Sequence, residues 1–279
     1  MPELPEVETI VRGLQPGLQG RIILSAQVYW SRTIATLSVQ DFQHRVVGRR
    51  ILAVNRRGKY IVLQLSDGDW LLIHLKMTGH LQVVSREKDA SPHKHLRVVF
   101  HLDDNHRLWF RDTRKFGRIY LTDDLDAVLG HLGPEPLDDD FTPEVFASLL
   151  RNRRGRIKSL LLNQQFIVGL GNIYSDEALF EARLHPQRTA DSLNRAESDA
   201  LHRSIKKVLC QGIENKGTTL NDRSYRDAKG KEGNNQMFLR VYGRGDQPCL
   251  RCGVAVQRIV LGGRSTHFCP HCQPRQGPN

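Results

Sequence analysis

The sequence predicts a multidomain α+β protein: an antiparallel β domain led by one helix, then a helical domain, then a small cysteine-built β-hairpin. Three observations carry that expectation. Between residues 49 and 121, short apolar runs of strand length follow one another with no helical period between them. Beyond a stretch rich in proline and acid at 133–140, the apolar spacing turns helical. Four of the five cysteines crowd into positions 249–272 as two Cys-x-x-Cys pairs.

In chain order, Pro5 opens a helix. Val7, Ile10, Val11 and Leu14 fall at i, i+3, i+4 and i+7, with Glu6 and Glu8 in the first turn. Runs at 51–54, 60–63, 70–73, 97–100 and 118–121 read as strands of a sandwich or barrel. Ser66-Asp67-Gly68-Asp69 and Asp103-Asp104-Asn105 serve as hairpin turns between neighbours. Gly133-Pro134-Glu135-Pro136-Leu137 followed by three aspartates reads as a linker, and Thr142-Pro143 supplies an N-cap and a first-turn proline. Helices are expected over about 143–153, 172–183 and 194–213. Leu201, Ile205, Val208 and Leu209 stripe the last of these, with Cys210 beside them as a buried packing residue. The polar, aperiodic stretch Asn221 to Gln236 reads as a long mobile loop. The resulting domains are 1–132, a linker 133–141, a helical domain 142–238, a cysteine module 239–273 and a tail 274–279.

Composition narrows the partners. Lys and Arg number 41 against 30 Asp and Glu, a net charge of +11, which favours a polyanion. Nucleic acid ranks ahead of a membrane surface, because no basic amphipathic helix stands out and no apolar run reaches the ~18 residues that span a bilayer. Mean hydropathy of −0.44 fits a globular chain, and clustered rather than dispersed cysteines fit a reducing, cytoplasmic compartment.

Four residue sets carry chemistry. First, trimming of Met1 would leave Pro2 as a secondary amine beside Glu3, and a terminal amine titrates near pH ~8, low enough to be nucleophilic in a cell. Read alone, the same residues fit better the frayed terminus that most chain starts are. Second, Cys249, Cys252, Cys269 and Cys272, with sixteen residues between the pairs, have the spacing of one structural zinc ion held by paired turns. His267 and His271 stand nearby as alternative ligands, though a four-cysteine set needs neither. Arg251, Arg258, Arg264 and Arg275 make this module basic. Third, Val168-Gly169-Leu170-Gly171-Asn172 offers amides to a phosphate ahead of a helix, with Lys158 and the arginines 151, 153, 154 and 156 upstream. Fourth, Met77-Thr78-Gly79 and Arg114-Lys115-Phe116-Gly117 lie at strand edges, where spacing alone favours core packing for Met77 and Phe116 over a wedge entering a base stack.

Together these stretches closely resemble the formamidopyrimidine-DNA glycosylase family, which also contains endonuclease VIII. The resemblance rests on the start Pro2 to Thr9, Arg57-Gly58-Lys59-Tyr60, His74 to Gly79, Asp112 to Gly117, Leu132 to Leu137, Val168 to Tyr174, Gly217-Thr218-Thr219-Leu220, Val241-Tyr242-Gly243-Arg244 and the four cysteines. Leu4 in the opening looks like the formamidopyrimidine branch. The resemblance implies an N-terminal β-sandwich and a helix–two-turn–helix domain carrying the zinc hairpin. It implies a monomer that removes oxidised purines (8-oxoguanine and formamidopyrimidines) from double-stranded DNA. Pro2 would form a Schiff base with the sugar, and β,δ-elimination would then cut the strand. By the same resemblance Glu3 manages protons, while Lys59 and Arg264 assist the eliminations. His93, Arg114, Arg153, Lys158 and Asn172 contact the DNA backbone, and Met77, Arg114 and Phe116 fill the gap left by the extruded nucleotide.

The chain departs from the family pattern in two places. Arg223 stands where an aromatic usually follows Asp222, and Gly233-Asn234-Asn235-Gln236 replaces a Gly-Tyr/Arg-Phe-Gln ending. Lys94 follows His93 where aspartate is common. Two alternatives accompany the leading expectation: an oxidised-pyrimidine enzyme like endonuclease VIII, and a non-catalytic zinc-ribbon protein that binds damaged DNA.

Overall fold

A computed structural model describes residues 1–85, 94–222 and 224–275. His93 and Arg223 therefore lie outside the described residues. The chain divides into two compact units, residues 1–131 with 215–234, and residues 132–214 with 235–279.

The first unit begins with helix α1 (Leu4–Leu18), whose buried face is the predicted stripe Val7, Ile10, Val11 and Leu14 extended to Leu18. Strand β1 (Ile23–Val28) and helix α2 (Val39–Val46) follow. Then come β2 (Ile51–Arg57), β3 (Tyr60–Leu65), β4 (Trp70–His74), β5 (Gly79–Ser85), β6 (Leu96–Leu102), β7 (His106–Asp112), β8 (Arg118–Thr122) and the short helix α3 (Asp126–Leu129). The strands form two four-stranded antiparallel sheets, ordered β1-β6-β7-β5 and β2-β3-β4-β8. Val98, Phe100 and Phe110 of one sheet and Ile61, Leu63 and Ile73 of the other share one core with α1, so the sandwich and not the barrel is realised. The hairpin β6–β7 turns through Asp104 and Asn105, both left-handed at φ 59° and 62°, which short polar side chains tolerate.

Three strands, β1, β5 and β7, are additional to those read from sequence. In β5 (GHLQVVS) only Gly79 and Leu81 are buried, so its apolar signal is short. In β7 the apolar triplet Leu108-Trp109-Phe110 is flanked by His106, Arg107, Arg111 and Asp112, which hides its length.

The second unit contains α4 (Pro143–Leu150), α5 (Ile157–Leu162), α6 (Asn172–Glu181), α7 (Arg195–Glu214) and the hairpin β9 (Gln257–Leu261) with β10 (Arg264–Phe268). Gly262 and Gly263 turn that hairpin with φ of 54° and 74°, a two-residue turn that residues with a Cβ enter poorly. Helix α5 is additional to the sequence reading, being only six residues long between Arg156 and Asn163.

Burial departs from expectation in three places. Residues 133–141 are no free linker, since Phe141 is 1% exposed, its carbonyl is bonded to His202 Nε2 at 2.7 Å, and Val168 N–H bonds the Pro134 carbonyl. The stretch 215–234, which takes in most of the 221–236 loop assigned from sequence to the helical domain, groups with the first unit instead. Tyr225 and Ala228 belong to its core, and Ala228 packs so closely that a Cβ on Gly13 would lie 2.9 Å from the Ala228 Cβ. Asn234 N–H to the Asn215 carbonyl closes the ends of the segment at 2.9 Å. The physical reason is the aromatic at 225, two places past the position where the sequence showed Arg223. Cys210, expected to be buried, is exposed.

Candidate active site and zinc centre

The chain start is built into the fold. Pro2 is buried, Glu3 is 3% exposed and Glu6 1% exposed. Glu3 caps α1 in a reciprocal box, its side chain accepting from the Glu6 amide while Glu6 Oε2 accepts from the Glu3 amide at 2.8 Å. Glu6 Oε1 accepts from Thr218 N–H at 2.7 Å, tying the helix start to the returning segment 215–234. Gly217 makes this approach possible. Its φ is +81°, and a Cβ there would come within 2.9 Å of both Glu6 Cγ and the Tyr225 ring. The Tyr225 hydroxyl donates to the Lys216 carbonyl at 3.0 Å, and burial pushes its pKa upward, with Glu6 adding to the shift. The N-terminal end of α1, the positive end of the helix dipole, thus adjoins Pro2 and Glu3.

Lys59 is 5% exposed on the turn joining β2 to β3, where Gly58 takes φ +55°. At the end of β4, His74 packs edge-on against Tyr60 with ring centroids 4.7 Å apart. Its pKa is pushed down to about 3, by burial first and then by the charges of Lys76 and Lys59. His74 is therefore neutral at physiological pH. Its Nδ1 accepts from the Lys76 amide at 3.0 Å, which leaves the proton on Nε2 as a neutral donor.

Met77 is 39% and Phe116 47% exposed, which overturns the core packing that spacing favoured. Arg114 joins them, its guanidinium 4.9 Å from the Phe116 ring centre and its Nη1 3.1 Å from Met77 Sδ. Three side chains from two connections thus form one exposed apolar–cationic cluster.

In the second unit the sulfurs of Cys249, Cys252, Cys269 and Cys272 all lie within 4.8 Å of one another. Amides of Arg251 and Cys272 point at the sulfurs of Cys249 and Cys269, each at 3.4 Å, as metal-binding turns require. Burial would raise the Cys249 thiol, but the amides of Arg251 and Cys252 outweigh it and bring it down to about 7. Burial and the neighbouring sulfurs push Cys272 up to about 12, so four thiolates need a divalent cation among them. The donor set fits one structural zinc held by sulfur alone. His267 is committed elsewhere, its amide bonded to Asp176 Oδ2 at 2.9 Å.

The basic residues of this unit divide in two. Arg153 and Arg264 are exposed, Arg264 directly after the hairpin turn. Lys158, by contrast, is 0% exposed. Its ammonium meets Asp176 at 2.6 Å, Thr266 Oγ1 at 2.8 Å and the Ser265 carbonyl at 3.0 Å. These contacts and full burial make it a tie between α6 and the hairpin. Asn172 shares that work, donating from Nδ2 to the Ser265 carbonyl at 2.9 Å. The glycine turn before α6 is pinned by Gln164, whose Oε1 accepts from Gly169 N–H and whose Nε2 donates to the Leu170 carbonyl.

Sequence reasoning missed Asp112, Asp176 and Glu177. Glu177 accepts amides of Arg240, Val241 and Tyr242 at 2.8–2.9 Å, and burial raises its pKa despite those donors. The signal available for Asp176 and Glu177 was a pair of adjacent acids set among Ile173, Tyr174, Ala178, Leu179 and Phe180.

Three domain families match in order. The formamidopyrimidine-DNA glycosylase N-terminal domain covers residues 1–119, the H2TH domain of the same enzymes 132–224, and the zinc finger found in FPG and IleRS 246–275. The chain is 46% identical over 278 residues to the formamidopyrimidine-DNA glycosylase of Protochlamydia amoebophila, covering 99% of this chain and 100% of that protein. It is 48% identical over 276 residues to the enzyme of that name from Chloroflexus aggregans, covering 98% of each. Among solved structures, MutM (FPG) from Thermus thermophilus superposes with a TM-score of 0.88 at 40% identity, covering 99% of this chain and 100% of that one. A complex of Lactococcus lactis Fpg with DNA containing an abasic site gives a TM-score of 0.89 at 35% identity, covering 98% and 99%.

Proposed function

Since the chain belongs to the formamidopyrimidine-DNA glycosylase family, we propose that it excises oxidised purines from duplex DNA and then cuts the strand, with Pro2 as nucleophile. The observation that carries this reading is the buried chain start. A frayed terminus would be exposed and uncapped, whereas Pro2 and Glu3 are buried and Glu3 belongs to a capping box.

Removal of Met1, 41% exposed at the outer end of this start, converts the Pro2 nitrogen from an amide to a secondary amine. The positive end of α1 favours the neutral form of that amine. The amine attacks the sugar carbon that carries the damaged base, and Glu3 supplies the proton for ring opening as the base departs. The resulting Schiff base makes the neighbouring C–H acidic, so β- and then δ-elimination release the two phosphates. Lys59, desolvated beside the neutral His74, assists in proton transfer, and exposed Arg264 and Arg153 bind phosphate. Met77, Arg114 and Phe116 occupy the place of the extruded nucleotide, recovering part of the stacking lost on extrusion. The zinc ion is structural, and no step passes through it.

Borohydride trapping on a duplex with one 8-oxoguanine tests the reading. Processed protein is expected to form a covalent adduct at Pro2, and Pro2→Gly is expected to bind the lesion duplex without excising the base. An adduct elsewhere, or none, would overturn it. A panel of 8-oxoguanine, formamidopyrimidine and thymine glycol duplexes should show preference for the first two, and a thymine glycol preference would move the chain to the endonuclease VIII specificity.

A further inference from the structure

We infer that Asp112 is a positioning residue that holds the two wedge-bearing connections together as one rigid body. The inference rests on the wedge role proposed above for Met77, Arg114 and Phe116.

Asp112 ends β7 and is 1% exposed. Its Oδ1 accepts from the Thr78 hydroxyl at 2.5 Å and from Arg114 N–H at 3.1 Å, and its Oδ2 accepts from Gly117 N–H at 2.7 Å. Thr78 Oγ1 accepts in turn from Arg114 N–H at 3.1 Å. One carboxylate therefore gathers the connection carrying Met77 and both ends of the connection carrying Arg114 and Phe116. Its own backbone is fixed by Arg97 of β6, whose Nε donates to the Asp112 carbonyl at 2.7 Å, and by the residue just before that strand, the His95 carbonyl accepting from Asp112 N–H at 2.9 Å.

The two connections are otherwise tight and strained, which explains why a buried anion is needed. Lys76 and Lys115 have positive φ, 55° and 61°, unusual for residues with a Cβ. A Cβ on Gly79 would lie 2.4 Å from the Leu75 carbonyl oxygen, and one on Gly117 2.3 Å from Phe110 Cζ. At the tips Met77 and Phe116 are exposed, and the second connection rests there on Lys115, whose ammonium lies 4.0 Å from the Trp30 ring centre. Without the carboxylate, the Thr78 hydroxyl and the Gly117 amide lose their acceptor, only the Arg114 N–H to Thr78 Oγ1 bond still joins the connections, and the tips loosen. A wedge replaces a stacked base only if it keeps its shape during entry, so positioning here acts on extrusion and not on bond breaking.

A double-mutant cycle tests this in the full-length protein. Asp112→Ala is expected to slow single-turnover excision of 8-oxoguanine from a duplex by about 10- to 100-fold, the range for a misplaced positioning group. Strand cleavage at a preformed abasic site facing a gap, where no stack must be entered, is expected to change by less than about threefold, within the usual spread of non-interacting effects. In a background carrying Met77→Ala, Arg114→Ala and Phe116→Ala the Asp112→Ala effect should vanish. A 2-aminopurine beside the lesion should brighten less on binding. Thr78→Val, which removes one arm of the clamp and disturbs the fold least, should act in the same direction. Effects that multiply with the wedge substitutions, or an unchanged 2-aminopurine signal, would overturn the inference. Failure of the parent protein to trap on borohydride would instead strike the functional reading beneath it.

Discussion

His74 shows how one buried side chain makes stability depend on pH. Its folded pKa is about 3 against an ordinary 6.5, because burial and two lysines oppose its charge. As pH falls, the unfolded chain takes up this proton first. The stabilisation from a neutral His74 is thus complete above about 6.5 and is lost progressively down to about 3, at up to about 1.4 kcal/mol per pH unit. His80 and His185 are also depressed by burial and add to the same slope. His74→Gln should flatten urea-unfolding stability between pH 6.5 and 4, leaving only the remaining histidines and the carboxylates. An unchanged slope would mean that His74 is already charged in the native protein.

At the scale of elements, the most informative joint is the one between α6 and the hairpin β9–β10. Lys158, Asp176 and Thr266 form it out of reach of solvent. Removing one partner of a buried pair strands the other charge, so Lys158→Met should cost roughly 3–5 kcal/mol in chemical denaturation. The salt dependence of DNA binding should stay as it was, whereas loss of a phosphate contact would reduce that slope by about one. The zinc hairpin itself was legible in the sequence because its ligands are near neighbours and cysteine spacing is a geometric statement. Helices α1, α6 and α7 were legible from their spacing and caps. What stayed hidden was set by distant partners: the Asp176 carboxylate that meets Lys158, and the Thr78, Arg114 and Gly117 groups that meet Asp112. Met77 and Phe116 illustrate the reverse limit, since an apolar residue beside a strand has no local mark of facing outward.

For the whole molecule, a net charge of +11 implies that association with DNA is dominated by release of counterions. Raising salt from 50 to 200 mM should weaken lesion-duplex binding by about 10³-fold or more, and a nearly flat response in a titration would contradict a phosphate-led interface. The membrane expectation has a narrower outcome: no helix among the described residues is long and apolar enough to cross a bilayer. The two compact units also set an order of events during synthesis. The unit bearing the chain start borrows residues 215–234, so its core lacks Tyr225 and Ala228, and Glu6 lacks the Thr218 amide, until that segment is translated. At ~5–20 residues per second, the ribosome reaches it roughly 5–20 s after residue 131. A nascent chain would therefore carry Pro2 and Glu3 long before the surroundings that bury them, and the late segment ties completion of the chain start to near-completion of the polypeptide.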